Sequence, residues 1–146
     1  MHKDFQRWHT LKSDIDTSHP CPLFHEREIW WCSLGANVGV EEDGKNDFFE
    51  RPVMIVRKFN QEMFWGPPLT SRGKDGEYYA HFFLHEIART AILSQLRTLS
   101  AKRLVRKIGR IGKKCFGDIQ RETAMILTQK RASINKNGPL AGASGA

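Results

Sequence analysis

Two histidines and a run of three acids are the residues whose spacing first suggests chemistry. His81 and His85 lie an even number of residues apart in a stretch typical of a strand, so both would face one side and could transfer protons. Ordinary surface histidines are the commoner explanation of this spacing. The run Glu41-Glu42-Asp43 offers carboxylates to Mg²⁺, but consecutive side chains point in different directions, which favours a solvated loop.

The three cysteines do not form a metal-binding pattern. Cys21, Cys32 and Cys115 contain no C-x-x-C pair, and their spacing to the histidines does not match a zinc finger. Their odd number fits reduced thiols in a cytoplasm. We therefore expect no metal and no cofactor.

The charge of the chain is divided between its two halves. Residues 1–87 carry a net charge of −4 and residues 88–146 a net charge of +11. This division favours a polyanionic partner, most simply nucleic acid. The stretch Lys102–Lys107 is either a phosphate-binding surface or a solvated face. Four aromatic residues could stack on unpaired RNA bases, although most of them should belong to the core or an interface: Trp31, Trp65, Tyr78 and Tyr79.

The composition predicts one globular domain. The chain has 146 residues, of which 40% are apolar and 27% charged. No window approaches 18 consecutive apolar residues, and the first residues lack the apolar stretch of a signal peptide. We therefore expect no membrane partner and a cytoplasmic location.

Hydrophobic spacing predicts several short strands between two helices. Helices are expected at 4–16 and from Lys113 to about Ile134, and the long acidic segment Gly35–Glu50 is expected to be a loop. The predicted strands are Glu28–Leu34, Arg51–Lys58, Phe64–Ser71, Tyr78–Leu84, Thr90–Thr98 and Arg106–Gly112. This order predicts a compact, mainly β, mostly antiparallel barrel with flanking helices.

Four sequence blocks, in this order and spacing, resemble the PemK/MazF family, the RNA-cleaving toxins of type II toxin–antitoxin systems. They are EIWWCSLG with NVGVEEDGK (28–45), RPVMIV (51–56), PLTSR (68–72), and LSQLRTL with KRL and KIGR (93–110). The resemblance covers roughly residues 25–127. The first helix is similar to an N-terminal extension found in one branch of the family.

The resemblance implies an SH3-like small barrel of the PemK/MazF/CcdB type over residues 25–134 and a helical extension at 1–20. The small residues that end the chain predict a disordered tail at 135–146. It implies a homodimer, a cognate antitoxin partner, and metal-independent cleavage of single-stranded RNA, including mRNA, by its own 2′-hydroxyl. Arg51 and Thr70 take the positions of the family's catalytic arginine and threonine. Further substrate-binding residues are implied at Ser71, Arg72, Ser94, Gln95 and Arg97.

Two departures from the family leave the proton acceptor open. Glu42 stands where better-known members have glutamine, and Ser94 stands where some members have a catalytic aspartate. A guanidinium matches the phosphate oxygens that gain charge during transesterification, but it is too basic to remove a proton. Without the resemblance, Arg51 would be interpreted as a salt-bridge partner of Glu50 or Glu41.

The acidic loop Gly35–Glu50 leads directly into Arg51, which suggests a gate over the site that an antitoxin could hold. We expect deletion of Lys45–Phe49 to raise basal cleavage and weaken inhibition. Two other functions remain open: a toxin of the same fold that poisons a protein such as gyrase, and a non-catalytic SH3-like nucleic-acid-binding or interaction module.

Overall fold

The structure, a computed structural model, describes residues 2–129 and has a helix at each end of a β region. Helix α1 is Phe5–Ser18 and helix α2 is Lys113–Thr128. The strands are β1 (Glu28–Ser33), β2 (Glu50–Met54), β3 (Arg57–Lys58), β4 (Met63–Gly66), β5 (Leu69–Thr70), β6 (Tyr79–Leu84), β7 (Ile87–Ile92), β8 (Arg97–Ser100) and β9 (Leu104–Arg110). The mainly β class with flanking helices is confirmed. The predicted tail at 135–146 and residues 130–134 of the predicted helix lie outside the described residues.

The strands form three antiparallel sheets. Their strand orders are β2-β1-β9, β3-β4-β8 and β5-β7-β6. A single bridge between Val53 and Pro68 joins β2 to β5, so the first and third sheets meet at this point. The described pairings thus divide the expected barrel into three sheets, and the meeting point of β2 and β5 positions the functional site.

The predicted strand at 51–58 is two strands, because the chain changes its hydrogen-bonding partner in the middle. The N–H of Ile55 donates to the carbonyl of Glu28 (2.8 Å), next to the β1–β2 ladder, whereas the N–H of Val56 donates to the carbonyl of Trp65 (2.9 Å). The chain therefore passes from the first sheet to the second at these two residues.

Prolines and a short helical turn explain the other differences from the predicted strands. The strand predicted at 64–71 breaks at Pro67 and Pro68, which lack the N–H that a ladder needs. The strand predicted at 90–98 is interrupted by a 3-10 turn at Leu93–Gln95. Pro52, second in the predicted strand 51–58, is the third residue of β2, where an edge strand tolerates it.

Helix α1 packs on the long loop between β1 and β2. Its buried residues Trp8 and Ile15 lie seven positions apart, on one face of the helix, and they cluster with Ala36 and Phe49 of the loop region. Gly35 has a φ of +94°, and a Cβ at this position would overlap the Trp8 ring. Only glycine allows α1 to approach the loop this closely.

Candidate functional site

Arg51 is a buried arginine whose whole guanidinium is held by the protein. Its Nε donates to the carbonyl of Asp43 (2.6 Å), its Nη1 donates to the carbonyl of Leu69 (3.1 Å), and its Nη2 lies 2.9 Å from Oε1 of Glu42. Two of these three partners belong to the acidic loop. The salt bridge is therefore made with Glu42, and not with Glu50 or Glu41 as the sequence alone suggested.

Thr70 lies next to Arg51 because β5 meets β2 at the Val53–Pro68 bridge. The Thr70 side chain is buried, and its hydroxyl oxygen accepts a hydrogen bond from the backbone N–H of Arg72 (3.2 Å). This bond uses a lone pair of the oxygen and leaves the hydroxyl proton available for donation.

A cavity of about 360 Å³ joins the two residues. Its walls include Arg51, Thr70, Ser71, Trp31 and Arg89. Its other lining residues are Lys45, Asn46, Glu50, Pro52 and Leu69. We call this the Arg51 cavity; it brings together two guanidinium groups, two hydroxyls and an aromatic ring, which suit a phosphate and its neighbouring base.

A second cavity, of about 330 Å³, contains three more of the expected residues: Ser94, Gln95 and Arg97. Glu42 lines this second cavity and binds Arg51. It therefore lies between the two groups of expected residues.

Gln95 holds the acidic loop through both ends of its side-chain amide. Its Oε1 accepts from the N–H of Glu42 (3.1 Å), and its Nε2 donates to the carbonyl of Val40 (3.0 Å). In this arrangement the amide is already occupied by the loop. Arg72 is exposed and lines neither cavity. Its backbone N–H donates to the Thr70 hydroxyl oxygen.

The N-terminal residues anchor the acidic loop from its other side. Nζ of Lys3 lies 3.1 Å from Oδ2 of Asp43 and donates to the carbonyl of Asn37 (2.7 Å). Oδ1 of Asp43 in turn accepts from the N–H of Asn37 (2.6 Å). The same Asp43 supplies the carbonyl that binds Nε of Arg51, so the N-terminus is connected to the guanidinium through one loop residue.

The two histidines do not form the acid–base pair that a regular strand would allow. His85 lies beyond the end of β6 and has a φ of +52°, so the alternation of the strand does not extend to it. His81 contacts Oγ1 of Thr90 (3.0 Å) and Oδ1 of Asp75 (3.3 Å). Neither histidine lines the Arg51 cavity or the second cavity.

The cations of the basic stretch Lys102–Lys107 have intramolecular partners, although Arg106 and Lys107 stay exposed. Lys102 donates to the carbonyl of Asp16 and Arg103 to that of Ser33. Arg106 and Lys107 lie 3.4 Å and 3.5 Å from the buried carboxylates of Glu50 and Glu28, respectively. All four cations therefore also stabilise the fold. The guanidinium of Arg106 lies 5.1 Å from the centre of the Trp31 ring.

Sequence reasoning did not single out Arg89 and Lys45, which line the Arg51 cavity. Arg89 belongs to β7, one position before Thr90, the residue that pairs with Thr70. Because neighbouring side chains of a strand point to opposite faces, the Thr70–Thr90 pairing alone does not place Arg89 at the cavity, and no motif in the sequence separates it from the other arginines.

The most buried thiol is not a nucleophile. Cys32 is fully buried, and desolvation raises the pKa of its thiol to about 12, against the opposing charges of Arg103 and Arg97.

Within residues 2–129 no group of three or more His, Cys, Asp or Glu side chains is arranged to hold a metal ion. The helices among these residues are also too short or too polar to cross a membrane.

The chain belongs to the PemK-like, MazF-like toxins of type II toxin–antitoxin systems. The sequence model of this family matches residues 25–127, which include β1 to β9 and the site described above. Helix α1 lies outside the matched range. No curated protein sequence gave a significant match.

Solved structures of MazF toxins share the fold at low sequence identity. MazF from Deinococcus radiodurans has a TM-score of 0.59 at 13% identity, and the match covers 74% of this chain and 99% of that chain. The same organism's MazE–MazF structure has a TM-score of 0.54 at 13% identity and covers 75% and 100%. Mycobacterium tuberculosis toxin MazF-mt6 has a TM-score of 0.52 at 14% identity and covers 70% and 96%.

Proposed function

We propose that this family member is an endoribonuclease that cleaves single-stranded RNA, mRNA in the cell, without a metal ion. The observation that carries the proposal is the Arg51 cavity, where a buried guanidinium and the Thr70 hydroxyl meet at the junction of β2 and β5. Endoribonuclease activity is a general property of the family to which the chain belongs. Both residues occupy the positions that the family motif gives to its catalytic pair.

The reaction is a transesterification at phosphorus. The 2′-oxygen of one nucleotide attacks the adjacent phosphorus, the bond from phosphorus to the 5′-oxygen breaks, and the products carry a cyclic phosphate and a 5′-hydroxyl. The 2′-hydroxyl gives its proton to a base, and the leaving 5′-oxygen takes up a proton. Arg51 stabilises the charge that develops on the non-bridging oxygens, and Thr70 donates a hydrogen bond to the same group.

Two carboxylates at the site can accept the 2′-hydroxyl proton. Glu50 lines the Arg51 cavity, and Glu42 contacts Nη2 of Arg51. The variants Glu42→Gln and Glu50→Gln separate the two. The variant that lacks the base loses cleavage but retains RNA binding, and its rate no longer depends on the ionisation of a carboxylate.

One observation favours a non-catalytic binding module as the second candidate. All three guanidinium nitrogens of Arg51 have protein partners, so in this conformation the side chain is a salt-bridged structural residue. Under the main proposal this conformation is the closed state of a gate. RNA binding moves the loop segment at Glu42 and Asp43 away and frees Nε and Nη2 for phosphate.

RNA cleavage in EDTA distinguishes the two candidates. We expect the wild type to cut a natural mRNA transcript, and the products to carry the two chain ends given above. Arg51→Lys keeps the charge and loses the planar fork, and Thr70→Ala loses the hydroxyl; each should lower kcat by about 10²–10³-fold, as the loss of one transition-state donor does. Thr10→Ala, an exposed threonine of α1, is the matched control. Tight RNA binding by the wild type without any cleavage would establish the binding module instead.

The proposal includes a protein antitoxin and a homodimer. A MazE–MazF structure is among the similar folds, which supports an antitoxin partner. Co-expression of the protein encoded beside this chain should relieve growth arrest and form a complex in size-exclusion chromatography. Light scattering of the toxin alone measures whether two copies associate, and a monomeric mass at micromolar concentration would rule out the stable dimer.

A further inference from the structure

Arg89 provides a second guanidinium at the Arg51 cavity. It lies in β7, next to Thr90, and Thr90 pairs with Thr70 across the β5–β7 ladder. Its side chain lines the same cavity as Arg51 and Thr70. The strand neighbours β2, β5 and β7 therefore contribute Arg51, Thr70 and Arg89 in that order.

The two arginines differ in how the protein satisfies them. Every guanidinium nitrogen of Arg51 has a partner. In contrast, Nε of Arg89 is buried and has no hydrogen-bond partner, and no other buried side-chain nitrogen or oxygen within residues 2–129 shares this condition. Arg89 as a whole is half-buried, so this unpaired charged donor is available to a ligand that enters the cavity, and an anion satisfies it best.

The chemistry of the cavity favours a phosphate. A guanidinium binds two phosphate oxygens at once through its planar fork of donors. Lys45 also lines the cavity and is its third cation, after Arg51 and Arg89. Phosphates of single-stranded RNA are the anions that the proposed reaction brings here.

We propose that Arg89 binds the backbone phosphate next to the scissile one, which makes it a substrate-binding residue of this toxin. The inference rests on the proposed function, since it takes Arg51 and Thr70 as the site of the scissile phosphate. Arg89 lines the same cavity as Arg51 but comes from a different strand, β7, so it can bind a phosphate next to the one that Arg51 binds.

The test compares Arg89→Met, Arg89→Lys and Arg121→Met. Arg121 is an exposed residue of α2 that contacts Asp118, so its variant loses the same charge away from the cavity. The binding probe is a short single-stranded RNA of mixed sequence with 2′-O-methyl groups, which the proposed reaction cannot cut. Binding is measured at several salt concentrations, cleavage of an mRNA transcript gives kcat and KM, and thermal unfolding is recorded without RNA.

We expect Arg89→Met to weaken probe binding about tenfold, the loss of one charge-assisted contact. The slope of log K against log salt should become less steep by about 0.7, the value for one phosphate of a single strand. KM should rise while kcat changes little, because the contact is made equally before and during the reaction. Arg89→Lys should keep the salt slope, and the Arg121 variant should match the wild type.

The thermal midpoint separates a ligand-binding role from a structural one. Because Nε of Arg89 has no hydrogen-bond partner in the free protein, and methionine keeps an apolar side chain of similar length, Arg89→Met should unfold at the same temperature as the wild type or higher. A lower midpoint, or an unchanged affinity and salt slope, would overturn the inference. A fall in kcat at constant KM would overturn the assignment to a neighbouring phosphate. If the wild type cut no RNA but the probe still bound through Arg89, the proposed function would fail and the phosphate contact would stand.

Discussion

Replacing Glu42 by glutamine tests whether the acidic loop holds Arg51 closed. The carboxylate lies 2.9 Å from Nη2 of Arg51, and the two side chains are 28% and 9% exposed. Glutamine keeps an oxygen that can accept the same hydrogen bond and removes only the charge. This change is gentler than deleting Lys45–Phe49, because Phe49 is buried and its carbonyl accepts from the N–H groups of Leu34 and Gly35.

The expected size of the effect follows from the contact that RNA must break. In Glu42→Gln the bond still involves the charged guanidinium, so only the ion-pair part of the contact is lost. For this partly exposed pair the loss is about 0.5–1 kcal/mol, and opening the loop should cost that much less. Since 1.4 kcal/mol is a factor of ten, we expect kcat/KM for RNA to rise about two- to fivefold.

The assay is cleavage of an mRNA transcript under kcat/KM conditions at low and high salt, with Glu41→Gln as the matched control. Glu41 belongs to the same loop, but its carboxylate accepts from the N–H of Val38 and not from Arg51. The gain in Glu42→Gln should shrink at high salt, because salt screens the wild-type ion pair. A fall in kcat instead of a gain would refute the gate and identify Glu42 as the proton acceptor.

Three further predictions concern stability and thiol reactivity. Burial raises the pKa of the Glu28 carboxyl, but hydrogen bonds from Trp30 and His25 and the charge of Lys107 outweigh it and hold the pKa below its ordinary value of 4.5. The ionised Glu28 carboxylate thus stabilises the fold fully above about pH 4.5, and this stabilisation is lost as the pH falls through the folded-state pKa. Glu28→Gln should lower the free energy of unfolding at pH 7 by about 1–3 kcal/mol. Urea titrations of this variant should also lack the acid dependence that Glu28 causes. Trp8→Ala should cost about 3–5 kcal/mol in the same assay, because the buried ring packs on the loop, and a cost below 1 kcal/mol would contradict that packing. Cys32 should resist iodoacetamide at pH 8 in the native protein and react only in denaturant, and rapid native labelling would contradict its burial and raised pKa.

The elements that the sequence predicted well are those with a local signal. The spacing of apolar residues predicted α1 and the start of α2, and the aromatic run predicted β1. The division of the predicted strand 51–58 was missed because tertiary contacts cause it. Nothing local marks the point where the chain changes sheets. Ile55 bonds to Glu28 and Val56 bonds to Trp65, and both partners lie far away in the sequence.

The candidate site shows the same limit. Arg51 and Thr70 were expected from a motif, and the structure brings them to one cavity, but their roles stay predictions. The partner of Arg51 was not predictable, since five acids of the loop before it compete and only the folded loop selects Glu42. Arg89 carries no local signal at all. Its position depends on the pairing of Thr70 with Thr90, a long-range contact.

The anchoring of the acidic loop by the N-terminal residues implies thermodynamic linkage. Lys3 and Trp8 contact the loop in the conformation in which it also binds Arg51. Docking of α1 and this loop conformation therefore stabilise each other. Such coupling is reciprocal. If docking of α1 lowers the affinity for a ligand that opens the loop, that ligand lowers the equilibrium constant for docking of α1 by the same factor. Amide hydrogen exchange in α1 should therefore speed up when RNA binds, even if the RNA contacts only the cavity at Arg51.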